Sequence, residues 1–289
     1  MNEQPQTPQK TKIGDQEFAC IFCFDDGEDR SSEGYPCRHC RHTEYERRRR
    51  LESAREQLGV SLMKAELSTL VTRYTPDNRE SVHFTNALRT AKSFVDNAEA
   101  IIAEGRGLAF IGRPGTGKTT LAAGIKLGLI DRMVINYISE AKLISLIANY
   151  FHDKQNSDRL QAVEHFAKLG KCVIIDEVGK TAPNQQVLPY GAANAESVLY
   201  DFFDYRYREG LSTIITSNFP LKTFTYTVDG VEKEEAGLDK RYPTDGPRLS
   251  DRLLECCTSV PLFDCESFRL DIAKSQLELG MEQPRVVPN

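Results

Sequence analysis

The sequence predicts an α/β protein built on a parallel sheet of five strands, preceded by a small cysteine-bearing module. Three observations carry that prediction. Short apolar-rich runs recur at 107–111, 133–138, 172–175, 212–218 and 258–262, as strands covered on both faces require. Segments of helical periodicity separate them, the order a parallel sheet with crossover helices needs. A glycine-rich stretch, Gly112-Arg113-Pro114-Gly115-Thr116-Gly117-Lys118-Thr119, joins the first run to the helix after it.

Composition sets the frame. At 289 residues there is room for one large domain and a small one. A net charge of −5 excludes a protein that coats nucleic acid over its whole surface, so any basic site must be local. No apolar stretch approaches the length of a membrane span. The first residues carry neither the charged nor the apolar region of a signal peptide. The expectation is a cytoplasmic protein with no membrane contact, where structural disulfides are unusual. Of the eight cysteines, Cys172, Cys256, Cys257 and Cys265 lie in or near apolar segments and read as small core residues.

Residues 1–16 are polar, contain Pro5 and Pro8, and read as a disordered tail. Cys20-Ile-Phe-Cys23 and Cys37-Arg-His-Cys40 follow, with thirteen residues between the pairs. Each pair sits on a tight knuckle that aims two thiolates at one metal, so the four sulfurs suit a tetrahedral Zn²⁺ site. The turn-rich segment between them needs such a staple. His39 and His42 are possible substitute ligands. The competing reading, two redox motifs, lacks the βαβ context it needs.

A helix over 43–58 comes next and carries Arg47-Arg-Arg-Arg50 and Arg55. Between Arg38 and Arg55 there are seven arginines against three glutamates. They can be a solvated face with pairs such as Glu46–Arg50, or an arginine face for phosphate or an acidic protein surface. A linker with a short entry segment is expected over 59–83, with a domain boundary near 66. That divides the chain into 1–16, 17–65, 66–270 and a loosely ordered 271–289. A helix over 84–103 ends at Gly105 and Gly107.

The glycine-rich stretch fits G-x-x-x-x-G-K-[ST] in the strand–loop–helix setting that pattern requires. Its glycines let backbone N–H groups close on an anion. The helix N-terminus adds partial positive charge, Lys118 reaches β- and γ-phosphates, and the Thr119 hydroxyl is placed for Mg²⁺. Residues 112–119 and the adjoining Thr120 are therefore the candidate nucleotide site. Beyond it lie a strand over 133–138, a helix capped by Ser139, and a helix over 157–169. The run from Cys172 ends in Asp176-Glu177, with Asp176 the candidate Mg²⁺ ligand and Glu177 the candidate base for an attacking water. The loop 179–191 is long and polar. A helix over 194–209 ends in Asp204-Tyr-Arg206-Tyr-Arg208. The next strand ends in Thr216-Ser217-Asn218, whose polar groups emerge beside the phosphates in a parallel sheet. Residues 224–244 read as a charged surface loop, and a helix over 247–256 carries Arg248 and Arg252.

Together these residues resemble the AAA+ ATPases, and more narrowly the DnaC/DnaI and IstB-like helicase-loader group. The resemblance rests on 112–119 with Leu121-Ala122, Ile174-Ile-Asp-Glu-Val-Gly179, Asp204-Tyr-Arg-Tyr207, Thr213-Ile-Ile-Thr-Ser-Asn218, Asp251-Arg-Leu253 and Glu266-Ser-Phe-Arg269, and covers roughly 84–270. It implies an ATPase that is slow or partner-stimulated. Its N-terminal zinc module would grip a DnaB-type replicative helicase, and its ATPase domain would bind single-stranded DNA and self-associate through the ATP sites. Asn218 would be sensor 1 and Arg252 sensor 2, with Arg248 as fallback. Arg206 would be the arginine finger for a neighbouring subunit. Two rival readings are an IstB-like transposition helper acting on duplex DNA and a zinc-dependent nucleic-acid-binding adaptor with an idle P-loop.

Overall fold

A computed structural model of the chain describes residues 11–13, 16–18, 43–70, 79–153, 159–180, 195–228, 230–242 and 244–267. Cys20, Cys23, Cys37 and Cys40, with His39 and His42, lie outside the described residues, as does most of the 179–191 loop. Among the described residues no group of metal-ligating side chains could hold an ion by itself, and no helix is long and apolar enough to cross a membrane.

The first described elements are β1 (Thr11–Ile13) and β2 (Gln16–Phe18), paired antiparallel within and just past the segment expected as a tail. The helix α1 (Thr43–Leu62) runs past the expected end at 58 and kinks at Gly59, where φ is 71°. The expected helix over 84–103 is two: α2 (Val82–Asp96), capped by the Ser81 hydroxyl on the Phe84 N–H, and α3 (Ala98–Ala103). Asn97 breaks the run with φ −115° and ψ 22°.

Next come β3 (Gly107–Gly112), α4 (Lys118–Gly128), β4 (Asn136–Ser139), α5 (Glu140–Asp153), α6 (Arg159–Ala167), β5 (Cys172–Val178), α7 (Ala195–Arg208) and β6 (Ser212–Ser217). The expected surface loop at 224–244 instead holds a hairpin, β7 (Phe224–Val228) with β8 (Val231–Glu235), and the short α8 (Leu238–Arg241). The helix α9 (Gly246–Cys256) and β9 (Cys257–Leu262) complete the described fold.

The five main strands form one parallel sheet in the order β4-β5-β6-β3-β9. Side-chain alternation splits the apolar runs between two cores. Ala109, Ile111, Val173, Ile175 and Ile215 pack with residues of α5, α6, α7 and α9. Leu108, Phe110, Ile174, Ile214 and Leu262 pack with α2, α3 and α4. The neighbouring strands β3 and β6 send their connections in opposite directions from their C-terminal ends, to β4 at one edge and β9 at the other. That opens the crevice in which such sheets bind ligands.

Residues on the N-terminal side of the expected boundary near residue 66 pack directly on α4. Leu58 and Ala65 are buried against Ala123 of α4, and a Cβ on Gly124 would come within 2.5 Å of Leu67 Cδ2. Arg47 Nε donates to Asp131 at 2.8 Å and Arg50 donates to the Ile130 carbonyl at 3.2 Å. The arginine helix is thus seated on the α/β core, with Arg48 and Arg49 exposed.

Candidate nucleotide site

The glycine loop wraps the C-terminal end of β3 as expected. Gly115 and Gly117 have φ of 84° and 92°, a region side chains rarely adopt, and a Cβ on Gly115 would meet Ser267 Oγ at 2.1 Å. Thr116 Oγ1 donates to the Arg113 carbonyl at 2.9 Å and tightens the turn. The Lys118 ammonium donates to the carbonyls of Gly112 and Arg113 at 2.8 and 2.7 Å, which keeps the charge inside the loop.

Asp176 is the hub. Thr119 Oγ1 donates to its Oδ1 at 3.0 Å, Thr216 Oγ1 donates to the same oxygen, and the Tyr137 hydroxyl donates to Oδ2 at 2.5 Å. Burial, and then the charge of Asp176, push the Tyr137 phenol far up, so it stays a donor. Thr216 Oγ1 also accepts the Glu177 N–H at 3.0 Å. This contact marks a bulge: Ile175 pairs with Ile215, but Val178 pairs with Ser217, so β5 carries one residue more than β6. Bulges re-aim side chains at the rim of a sheet. Here the bulge swings Glu177 to the rim, where Lys180 Nζ meets its carboxylate at 2.7 Å.

A cavity of about 630 Å³ gathers Pro114, Gly115, Gly117, Lys118, Thr119, Thr120, Asp176, Glu177 and Asn218 on one wall system. Thr216 joins them, as the polar strand end suggested, and so do Leu62, Tyr137 and Lys180, which were not anticipated. Tyr137 had one faint signal, a lone hydroxyl in an apolar run; Leu62 had none. Gln57 of α1 accepts the Tyr137 N–H at 2.8 Å, so the arginine helix also braces the cavity.

Three arginines with expected roles, Arg206, Arg252 and Arg248, do not line the cavity. Arg206 is 1% exposed. Its guanidinium donates to Thr213 Oγ1 at 2.9 Å and to the carbonyls of Ala167, Gly170, Lys171 and Ser212. A finger for a neighbouring subunit must project from the surface, and this side chain is consumed inside its own. Arg252 donates to Asp204 at 3.0 Å and lies 4.6 Å above the Tyr207 ring, on α7 and away from the cavity. Arg248 is exposed, 4.0 Å from Asp245, and does not line the cavity either. Neither of the two arginines expected as sensor 2 lines the cavity within this chain.

The remaining donors fit a magnesium nucleotide. The loop has no room for a Cβ at Gly115, its ammonium is held inside, and Thr119 with Asp176 offers the hard oxygen ligands Mg²⁺ prefers. The metal, when bound, would supply charge neutralisation to the phosphates.

The parallel sheet order, the P-loop and the acidic strand end define an AAA+ P-loop α/β protein. Residues 49–272 match the family described as IstB-like ATP binding protein, and the chain belongs to that family. Comparison with curated proteins finds no match. Among solved structures, the chain is similar to the DnaC helicase loader at 21% identity and a TM-score of 0.49, over 70% of this chain and 98% of that one. It is similar to DnaI at 20% identity and 0.46, over 74% and 93%, and to AMPPCP-bound DnaA from Aquifex aeolicus at 16% and 0.46, over 77% and 57%.

Proposed function

We propose that this protein is an ATP-dependent loader that binds a hexameric DnaB-type replicative helicase and delivers it to single-stranded DNA. One observation carries the ATPase half. The Thr119 hydroxyl stands 3.0 Å from the Asp176 carboxylate, in a cavity shared with Lys118, Glu177 and Asn218. Residues 112–120 bind the phosphates, Thr119 and Asp176 hold Mg²⁺, Glu177 takes the proton of the attacking water, and Asn218 orients it. Hydrolysis is slow or stimulated by a partner.

The loader half rests on the residues quoted for the resemblance and on the paired C-x-x-C motifs. Cys20, Cys23, Cys37 and Cys40 bind zinc in a module that grips the helicase. The ATPase domain touches single-stranded DNA and self-associates with ATP. The test is native mass determination of the protein with a hexameric replicative helicase, with and without ATP. A discrete complex that Lys118→Ala weakens is expected; a complex and loading indifferent to that change would sink the proposal.

The match to the IstB-like family favours a second reading, a transposition helper on duplex DNA. Preference for duplex over single strands, together with capture of a transposase and no helicase complex, would select it.

A further inference from the structure

The turn after Asp176 leaves ordinary strand geometry. Glu177 has φ 61°, and among the described residues it is the one non-glycine residue with positive φ. For a residue with a side chain that conformation is strained, so its surroundings must impose it. Gly179 follows at φ 90°, and Lys180 N–H closes the turn on the Glu177 carbonyl at 3.1 Å.

Two fully buried side chains hold this turn from outside, Glu140 at the start of α5 and Tyr242 just after α8. Gly179 N–H donates to the Tyr242 hydroxyl at 3.0 Å, and that hydroxyl donates to Glu140 Oε1. Glu140 Oε2 accepts the Lys180 N–H at 3.1 Å. Arg241 Nε donates to the Gly179 carbonyl at 2.8 Å while its guanidinium lies 4.8 Å from the Phe219 ring centroid. Three backbone groups of two consecutive residues are thus gripped by elements distant in sequence. Burial, and then the Glu140 charge, push the Tyr242 phenol far up, so the relay keeps its proton. Asp239 Oδ1 accepts from both the N–H and the hydroxyl of Thr223, which ties the Tyr242 side of the grip to the root of the hairpin.

We propose that Glu140 and Tyr242 are positioning residues that clamp the 177–180 turn and so keep Glu177 on the wall of the phosphate cavity. This rests on the reading of Glu177 as the base for hydrolysis. Neither residue touches the nucleotide cavity itself, so the clamp acts on turnover and leaves binding alone. Deleting a hydroxyl 3.0 Å from Gly179 N–H frees the backbone that carries Glu177.

The test compares Tyr242→Phe, Glu140→Gln, Arg241→Met, Glu177→Gln and the double variant Glu177→Gln/Tyr242→Phe. ATP turnover and affinity for a fluorescent ATP analogue are measured for each. Tyr242→Phe is expected to lower kcat about tenfold or more with analogue affinity within about twofold of wild type. Arg241→Met should show the same split with a smaller loss. The double variant should hydrolyse no more slowly than Glu177→Gln alone, because both changes act through one group. Wild-type kcat in Tyr242→Phe, or an additive loss in the double variant, would overturn the clamp. If Tyr242→Phe does not fold, wild-type turnover in both Arg241→Met and Glu140→Gln overturns it equally. Full activity in Glu177→Gln would instead remove the reading of Glu177 on which the clamp depends.

Discussion

Arg206 donates to the hydroxyl of Thr213, seven residues further along the chain, at 2.9 Å, and the bond is wholly buried. The same guanidinium reaches carbonyls at the end of α6, in the turn before β5 and at the start of β6. Burial lowers its pKa to about 10, and the cysteines around it offset part of that effect. It stitches the N-terminal edge of the sheet, at the opposite end from the phosphate loop.

Replacing Arg206 with alanine should therefore cost about 3 kcal/mol of stability or more, since several buried carbonyls lose a charged donor at once. Lysine should rescue little, because one ammonium cannot span the fork of contacts. Denaturant midpoints check this. Wild-type stability together with an ATPase defect rescued by mixing with wild-type subunits would restore the finger role.

Thr119→Val removes the proposed Mg²⁺ ligand and one donor to Asp176 while keeping the side chain's shape. The Mg²⁺-dependent part of ATP affinity should fall about tenfold, or ~1.4 kcal/mol, and affinity without Mg²⁺ should hardly change. Titration of a fluorescent analogue with and without Mg²⁺ separates the two. Equal losses in both would place Thr119 on the phosphates instead.

Lys126 lies inside α4 with its ammonium on the Ile135 carbonyl, and burial lowers its pKa from 10.5 to about 8. Between those values the unfolded chain holds the proton and the folded chain does not, so this group's contribution to stability rises with pH across that window. Below about 8 the buried charge is a penalty. Lys126→Met should thus compare most favourably with wild type below pH 8 and lose ground toward pH 10.5. Chemical denaturation of both proteins from pH 7 to 10 reads the difference; a constant offset would contradict the shift.

Metal analysis should find about one zinc per chain, lost in Cys37→Ser/Cys40→Ser. ATP affinity should survive in that variant and the helicase complex should not. A zinc-free wild-type protein that still binds helicase would overturn the assigned grip.

The nucleotide loop and the acidic strand end were legible because their chemistry is local. Gly112 to Thr119 needs its glycines within one turn, and Asp176-Glu177 ends an unbroken apolar run. Tyr137, Glu140 and Tyr242 were not legible: Tyr137 meets Asp176 across 39 residues, and Tyr242 meets Glu140 across 102. The hairpin did leave a signal that charge obscured. Phe224-Thr-Tyr-Thr-Val228 alternates and runs into Asp229-Gly230, a pairing that favours tight hairpins.

By itself, then, the sequence determined the five strands of the main sheet, the phosphate loop and the two carboxylates, since apolar period, glycine freedom and spacing act within a few residues. Tertiary structure alone decided where the candidate arginines lie relative to the phosphate cavity. Arg206 and Arg252 sit on helices whose orientation is set by packing against β6 and against each other, which buries one and pairs the other with Asp204. It also decided that Glu177 turns to the rim, because the extra residue in β5 and the grip of Glu140 and Tyr242 come from elements brought together only by folding.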